Sequence, residues 1–488
     1  MTRPNVLENS TPLFCDLYHL TMAQAWFMDG KANETKTSEC FFRKCPFNGN
    51  YLLAAGLAEF SEWLENWHFS DEDIKYLQKQ TNTDGSKRFS DDFLSFIKNQ
   101  PLQISIDAVE EGEIVFPNEP IYSITGPTWQ VDMVEAALLN IFNSQSLIAT
   151  KASRIVQAAS SDGKFRPVLE FGVRRGQELG GFSATRACFI GGMVGTSNVA
   201  AAQHYDIPVS GTMAHSFIMS YEDESDAYKA YLKASKGNTT LLVDTYETHQ
   251  GVKNAIKASQ ETNIPLQGIR IDSGDLAYWS KEARRILDEA GFEHTKIIGS
   301  NDLDEYSIAK LVEQGAPYDI FAAGTKAVTA YDNPALGGVF KTKQYQGRDV
   351  IKVAEGKTTI PGKTNIIRVI RDGKYAGDII QNAKDTIVID GKLNNNVSGY
   401  ILSKEGVKPV QYAKGEEAYI LLKPLMRDGK IISQPQKDLR IIQAKAKANL
   451  QKLDNEHKSL HDSKSYSVAL EQTPYNTQLQ LIKAHTGR

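Results

Sequence analysis

The chain has 488 residues, too many for one ordinary globular unit, so two or three domains are expected. With 41% hydrophobic and 23% charged residues, it can bury a sizeable core and stay soluble. A formal charge of −4, from 55 basic against 59 acidic residues, gives no electrostatic ground for a nucleic-acid partner or a polybasic membrane contact.

Residues 1–10 are polar and expected to be loose. No apolar signal-peptide core follows the first methionine, and no run of about 18 apolar residues occurs anywhere. Cys15, Cys40, Cys45 and Cys188 make no Cys-x-x-Cys pair, and Cys40 and Cys45 have no nearby histidine to complete a zinc site. Free thiols and a cytoplasmic location are the expectation.

From Phe14 to Phe27 the apolar spacing predicts a helix capped by Asp16, with Tyr18 and His19 in its first turn. Residues 39–47 read as a strand running into a turn closed by Arg43 and Lys44. Residues 51–68 read as a helix anchored by Phe60, Trp63 and Trp67. Between 102 and 127, alternation and two prolines predict a small, mostly antiparallel sheet. A long helix is predicted from Glu135 to about Ala159.

Beyond that helix the texture changes. Short apolar runs alternate with helical stretches at 167–171, 207–210, 241–244, 268–272, 296–300 and 319–323, with a weaker unit near 191–199. Six or seven βα units in a row predict a parallel α/β core, and the number favours a barrel over an open sheet. After about Lys341 strands and turns return, as in 349–354 and 365–370, and they are expected to rejoin the amino-terminal sheet. A helix is predicted over 438–453 and a polar, peripheral remainder over 455–488. The expected domains are therefore 11–135, a catalytic barrel over 136–341, a return to the smaller domain over 342–437, and a helical extension over 438–488.

Each proposed strand carries polar groups at its carboxyl end, where barrels and parallel sheets do their chemistry. These are Glu170 with Arg174 and Arg175, Gly195-Thr-Ser197, Thr212 and His215, Asp244 and Thr245, Arg270 with Asp272-Ser-Gly-Asp275, Ser300-Asn301, and Gly324-Thr-Lys326. A packed core would need a partner for every one of them, whereas a shared mouth accounts for them together. The Gly-Thr loops and helix starts suit phosphate, and the arginines can grip phosphate or carboxylate. Asp244, Asp272 and Asp275 can hold magnesium or ribose hydroxyls, or stabilise a cationic sugar centre. A neutral His215 near phosphates is a good phosphoryl acceptor, with Asp244 the candidate for fixing its tautomer.

These motifs resemble those of the nicotinate phosphoribosyltransferase family. The resemblance is carried by Asp16-Leu-Tyr-His-Leu-Thr-Met22, Glu170-Phe-Gly-Val-Arg-Arg-Gly-Gln177, Gly195-Thr-Ser-Asn198 and Pro208-Val-Ser-Gly-Thr-Met-Ala-His-Ser216. It continues through Arg270-Ile-Asp-Ser-Gly-Asp275, Ser300-Asn-Asp-Leu-Asp304, the run from Gly324-Thr-Lys to Gly337, and Pro361-Gly-Lys363. The resemblance implies an irregular, TIM-like α/β barrel beside a smaller discontinuous α+β domain, assembled as a homodimer with shared active sites.

It also implies condensation of nicotinate with phosphoribosyl pyrophosphate to nicotinate mononucleotide and pyrophosphate. ATP hydrolysis would be coupled through a phosphohistidine at His215, with Mg2+ present. Arg270, Asp272, Ser273 and Gly274 would meet the phosphoribosyl group, with Asn301 at the neighbouring strand end, and Gly324 and Thr325 the 5′-phosphate. Phe171 would stack on the pyridine ring, Tyr18 would come from a second subunit, and Arg174 would meet pyrophosphate or ATP phosphates. Ser197 can donate to a carboxylate where the nicotinamide enzyme resembles this chain but carries an aspartate, so the acid is favoured over the amide.

Three other readings compete. The same fold can use nicotinamide or quinolinate. A phosphate-binding aldolase would need a Schiff-base lysine, for which Lys326 is the candidate. A non-catalytic metabolite sensor is the third.

Overall fold

A computed structural model describes residues 12–178, 180–235, 239–354, 356–385, 387–403 and 406–487. The stretch 1–10, expected to be loose, lies outside them. The chain divides into two compact units, one of residues 1–146 and 335–488 and one of residues 147–334. The sequence had set the corresponding boundaries at 135/136 and 341/342. The first falls instead within the Glu135–Ala159 helix, which apolar periodicity had placed at the same limits.

The continuous unit is the parallel one. Its strands are β1 (Val168–Glu170), β2 (Gly195–Thr196), β3 (Thr240–Leu242), β4 (Gly268–Ile271), β5 (Lys296–Gly299) and β6 (Ile320–Ala323). They lie in the order β2-β1-β6-β5-β4-β3, with every pair parallel. That order is cyclic, as in a barrel, with β1 beside the last strand β6. The strands are short and nearly all buried, as expected where helices cover a parallel sheet.

Between them run α1 (Gly180–Ile190), α2 (Val199–Tyr205), α3 (His215–Ile218), α4 (Glu224–Ala234), α5 (Thr248–Thr262), α6 (Leu276–Glu289) and α7 (Glu305–Glu313), and α8 (Thr325–Val328) follows β6. Side-chain caps from Asn198, Asp223, Glu247, Asp275 and Asp304 start five of these helices.

One predicted strand is almost absent. Residues 207–210 make a single bridge, Val209 to Thr196, closed by Thr196 N–H to the Pro208 carbonyl at 3.0 Å and Ser210 N–H to the Thr196 carbonyl at 2.9 Å. Pro208 has no N–H to donate, and among the described residues no ladder joins this segment to β3. The hydrogen-bonded wall therefore has a seam between Val209 and β3.

The discontinuous unit is mostly antiparallel. Its seven-stranded sheet joins Thr35–Phe42 to Tyr122–Pro127 on one side and to Gly338–Tyr345 on the other, so the two flanks of the chain pair directly. Of the 51–68 prediction only Leu57–Glu65 is helical. Leu52–Leu53 is a short strand, and the turn between them is made by Gly56 at φ +102°. Phe60, Trp63 and Trp67 are buried as expected.

An eight-stranded sheet follows in the chain, with Val468–Glu471 parallel to Lys374–Asn382 on one side and antiparallel to Val397–Ser403 on the other. The segment expected to be a peripheral remainder thus supplies an interior strand of this sheet, Val468–Glu471, followed by a helix over Gln472–Thr486. Under the sheet, Arg368 and Asp378 are fully buried, joined at 2.9 and 2.5 Å, with Tyr466 donating to the same carboxylate at 3.0 Å. Among the described residues no helix is long and apolar enough to cross a membrane.

Candidate active site

The carboxyl ends of the parallel strands surround a cavity of about 610 Å³. Phe171, Arg174 and Arg175 reach it after β1, Ser197 after β2, and residues 211–215 after the Val209 bridge. Arg270 and Asp272 come from the end of β4, Ser300, Asn301 and Asp302 follow β5, Ala322 lies near the end of β6, and Gly324 and Thr325 follow it. Strands that share a direction bring residues spread over some 150 positions to one mouth.

His215 opens α3 with its side chain 38% exposed. Its Nδ1 lies 3.1 Å from the Thr245 hydroxyl and its Nε2 lies 3.8 Å from Asp272 Oδ2. Asp244, expected to orient the imidazole, does something else. Its Oδ2 accepts the Asp272 N–H at 2.8 Å and the Ser273 hydroxyl at 2.6 Å, which fixes the loop carrying Asp272. The histidine's partner is the next residue, Thr245, while the buried Asp244 is engaged by the loop after β4.

Asp272 is held on both sides, by that backbone bond and by the Ser300 hydroxyl on its Oδ1 at 2.5 Å. Its Oδ2 is the atom nearest His215, and the residue lines the cavity. Arg270 donates to the Thr212 hydroxyl at 2.5 Å, and its Nε is buried without a protein acceptor. Burial pushes the Arg270 guanidinium down from its ordinary value, opposed by the charges of Asp272 and Asp244. Asp244 Oδ1 is likewise buried and unpaired, so the site holds one orphan donor and one orphan acceptor. The His215–Thr245 and Thr212–Arg270 contacts both span the seam in the barrel wall.

Two other loops are shaped by close approach and strain. A Cβ on Gly324 would lie 2.9 Å from the Phe171 carbonyl, so only glycine lets the β6–α8 turn reach β1. Asn301 holds φ +131°, rare for a residue with a side chain, and its own side-chain oxygen accepts the Asp302 N–H at 2.7 Å.

Several expected contacts are arranged differently. Glu170 does not line the cavity. It is buried and accepts from the Thr185 hydroxyl at 2.9 Å and the Thr196 hydroxyl at 2.5 Å, a strut beneath the mouth. The Ser273 hydroxyl is engaged by Asp244, and Gly274, at φ +76°, makes the turn into α6 rather than lining the cavity. Lys326 is paired with Asp304 at 2.7 Å, a bond that holds its ammonium above the ordinary lysine range and leaves no neutral amine for a Schiff base. Tyr18 belongs to the other unit, in the first turn of Leu17–Met28, 48% exposed and with its ring centroid 4.1 Å from that of His19 at a tilt of 41°.

Among the described residues no group of three or more His, Cys, Asp and Glu side chains could hold a metal ion. Asp272 and Asp302 are the acidic residues lining the cavity, so a magnesium there would need phosphate oxygens of a ligand to complete its coordination.

A cyclic parallel sheet with arginines, hydroxyls, a histidine and helix starts at the carboxyl ends of its strands defines a barrel enzyme that handles a phosphorylated ligand. Models of three nicotinate phosphoribosyltransferase domains match in order: the N-terminal domain over 13–143, the family domain over 167–357 and the C-terminal domain over 363–478. A nicotinate phosphoribosyltransferase of Bacillus subtilis is 37% identical over 97% of this chain and 96% of its own length. One from Mycobacterium tuberculosis is 36% identical over 94% and 91%. The crystal structure of human nicotinic acid phosphoribosyltransferase superposes with a TM-score of 0.82 and 25% identity, covering 96% of this chain and 99% of that one. This chain belongs to the nicotinate phosphoribosyltransferase family.

Proposed function

We propose that this enzyme condenses nicotinate with phosphoribosyl pyrophosphate to nicotinate mononucleotide and pyrophosphate, a step of NAD biosynthesis, and couples it to ATP hydrolysis through His215. The observation that carries the reading is the single cavity that gathers Phe171, Ser197, Arg270, Asp272 and the Ser300–Asp302 and Gly324–Thr325 loops around His215. Phe171 offers a ring face for the pyridine, and the Ser197 hydroxyl a donor for its carboxylate. Gly324 and Thr325 receive the 5′-phosphate, and Arg270 grips the phosphoribosyl group. Asp272 stabilises the positive charge that grows at the sugar carbon as pyrophosphate leaves. Asp272 and Asp302 would be the protein carboxylates nearest a magnesium carried in on the pyrophosphate, which would offset part of the leaving group's charge.

His215 takes the γ-phosphoryl group of ATP and releases ADP, and water later frees it as phosphate. Its partly exposed imidazole, held by Thr245 and near Arg174 and Arg175, supports this role. Exposed apolar side chains in the barrel unit, among them Val173, Val199, Val209, Met219, Tyr246 and Tyr278, support a homodimer whose partner covers the site and supplies Tyr18. The four cysteines are free thiols, consistent with a cytoplasmic setting.

The test is product formation from phosphoribosyl pyrophosphate with nicotinate and with nicotinamide, each with and without ATP. Nicotinate mononucleotide should form preferentially and faster with ATP. The variant His215→Ala should keep slow transfer and lose the stimulation. Undiminished stimulation in that variant would remove His215 from the coupling, and turnover of nicotinamide alone would overturn the role given to Ser197.

A further inference from the structure

The β5–α7 and β6–α8 loops both reach the cavity, the first with Ser300, Asn301 and Asp302, the second with Gly324 and Thr325. Just behind the cavity they are tied together. Lys326 Nζ donates to Asp304 Oδ2 at 2.7 Å, while Oδ1 of the same carboxylate accepts the Ser307 N–H at 2.8 Å. One carboxylate thus caps α7 and holds the first turn of α8. Neither Asp304 nor Lys326 lines the cavity.

The next residue extends the anchorage. Glu305 is fully buried and meets Arg154 at 2.8 Å and Lys151 at 2.6 Å, and Lys151 also reaches Asp332, just beyond α8, at 2.6 Å. The start of α7 and the segment after α8 therefore share one mooring on the long Glu135–Ala159 helix. Asn301, held at φ +131° in the same loop, needs such outside support to stay there. Burial works to raise the Asp304 carboxyl, but the bonds from Lys326 and Ser307 win and hold it below its ordinary range.

We propose that Asp304 and Lys326 are positioning residues whose ion pair locks the two loops into one cradle for the phosphorylated end of the substrate, so that Lys326 acts through Asp304 and not by touching phosphate. This rests on the phosphoribosyl pyrophosphate reading above. A lysine directly after Gly-Thr invites assignment as a phosphate ligand, yet here its charge is already matched. What the pair supplies is a fixed distance between two loops that must grip one ligand.

Two measurements on the full chain test it. Asp304→Asn keeps an oxygen that caps α7, so it removes the charge without removing the cap. In that variant and in Lys326→Met, hydrogen exchange at residues 300–303 and 324–327 should quicken together by about fivefold without any substrate, the scale of a partly exposed ion pair. Lys326→Arg should restore the wild-type rates. In kinetics, KM for phosphoribosyl pyrophosphate should rise about fivefold while kcat and KM for nicotinate stay within about twofold.

Faster exchange in one segment alone, or in neither, overturns the coupling. A lower KM in Asp304→Asn overturns it too, since a freed Lys326 would then be binding phosphate. Coupled exchange in a wild-type enzyme that does not turn over phosphoribosyl pyrophosphate would instead overturn the substrate reading, and with it the cradle's role.

Discussion

The molecule gathers charge in two places and treats it in opposite ways. Under the eight-stranded sheet, Arg368 and Asp378 are both 0% exposed and each meets the other through paired hydrogen bonds, with Tyr466 on the same carboxylate and the Phe116 and Tyr375 rings over the guanidinium. At the barrel mouth, His215 and Asp272 are more than a third exposed and stand 3.8 Å apart, and Arg270 Nε has no protein acceptor. The first cluster is sealed from solvent: Arg368 Nη1 also lacks a hydrogen-bond partner, but both charged side chains are fully buried and out of a ligand's reach, so the cluster serves the fold. The second sets its charged groups on an open cavity, where a ligand can use them.

The comparison can be broken most violently at the closed cluster. Arg368→Met strands the Asp378 carboxylate in the interior and should cost about 3–5 kcal/mol of unfolding free energy, with activity per folded molecule unchanged. Denaturant unfolding alongside an active-site titration checks both halves. At the mouth the outcome should invert. Asp272→Asn keeps the shape and the Ser300 hydrogen bond, so stability should hold within about 0.5 kcal/mol while kcat falls about 100-fold. If both variants lose stability alike, the two clusters do not differ as argued.

Thr245→Val should have a smaller effect, reducing ATP stimulation by up to about tenfold, the worth of one hydrogen bond to the His215 ring. An unchanged pH profile of that stimulation would show that Thr245 does not hold the imidazole. The mildest expectation concerns Glu119. Burial, then the Asp378 charge, pushes its carboxyl well above the usual range. Folding therefore favours its protonated form, and that stability is full below the unfolded value of about 4.3 and is lost as pH rises through the folded one. Glu119→Gln should flatten the decline of stability toward alkaline pH, which thermal unfolding across a pH series would reveal.

Much of this was legible in the chain. The helix at 135–159 follows from apolar spacing alone, and five of the barrel strands stand where short apolar runs end in polar residues. Strand direction then places those polar residues at one mouth, which is why so many site residues could be named without coordinates. What failed did so for local reasons. The 207–210 run has the right composition but contains Pro208 and lacks a ladder toward β3. The strand at Val468–Glu471 is four residues long among polar neighbours, and only its two sheet partners, far away in sequence, make it a strand. The choice of Thr245 over Asp244 beside His215 goes with Asp244 being engaged by Asp272 and Ser273, a distant pairing that residue type does not encode.

The split layout has a bearing on how the chain matures during translation. Residues 147–334 emerge as an uninterrupted stretch and can collapse into their own unit as soon as they clear the ribosome. The other unit must wait. Thr35–Phe42 needs Gly338–Tyr345 beside it, and Lys374–Asn382 needs Val468–Glu471. Its early strands therefore spend the making of some 300 residues with an open edge, and a nascent-chain partner or a chaperone would find its target there.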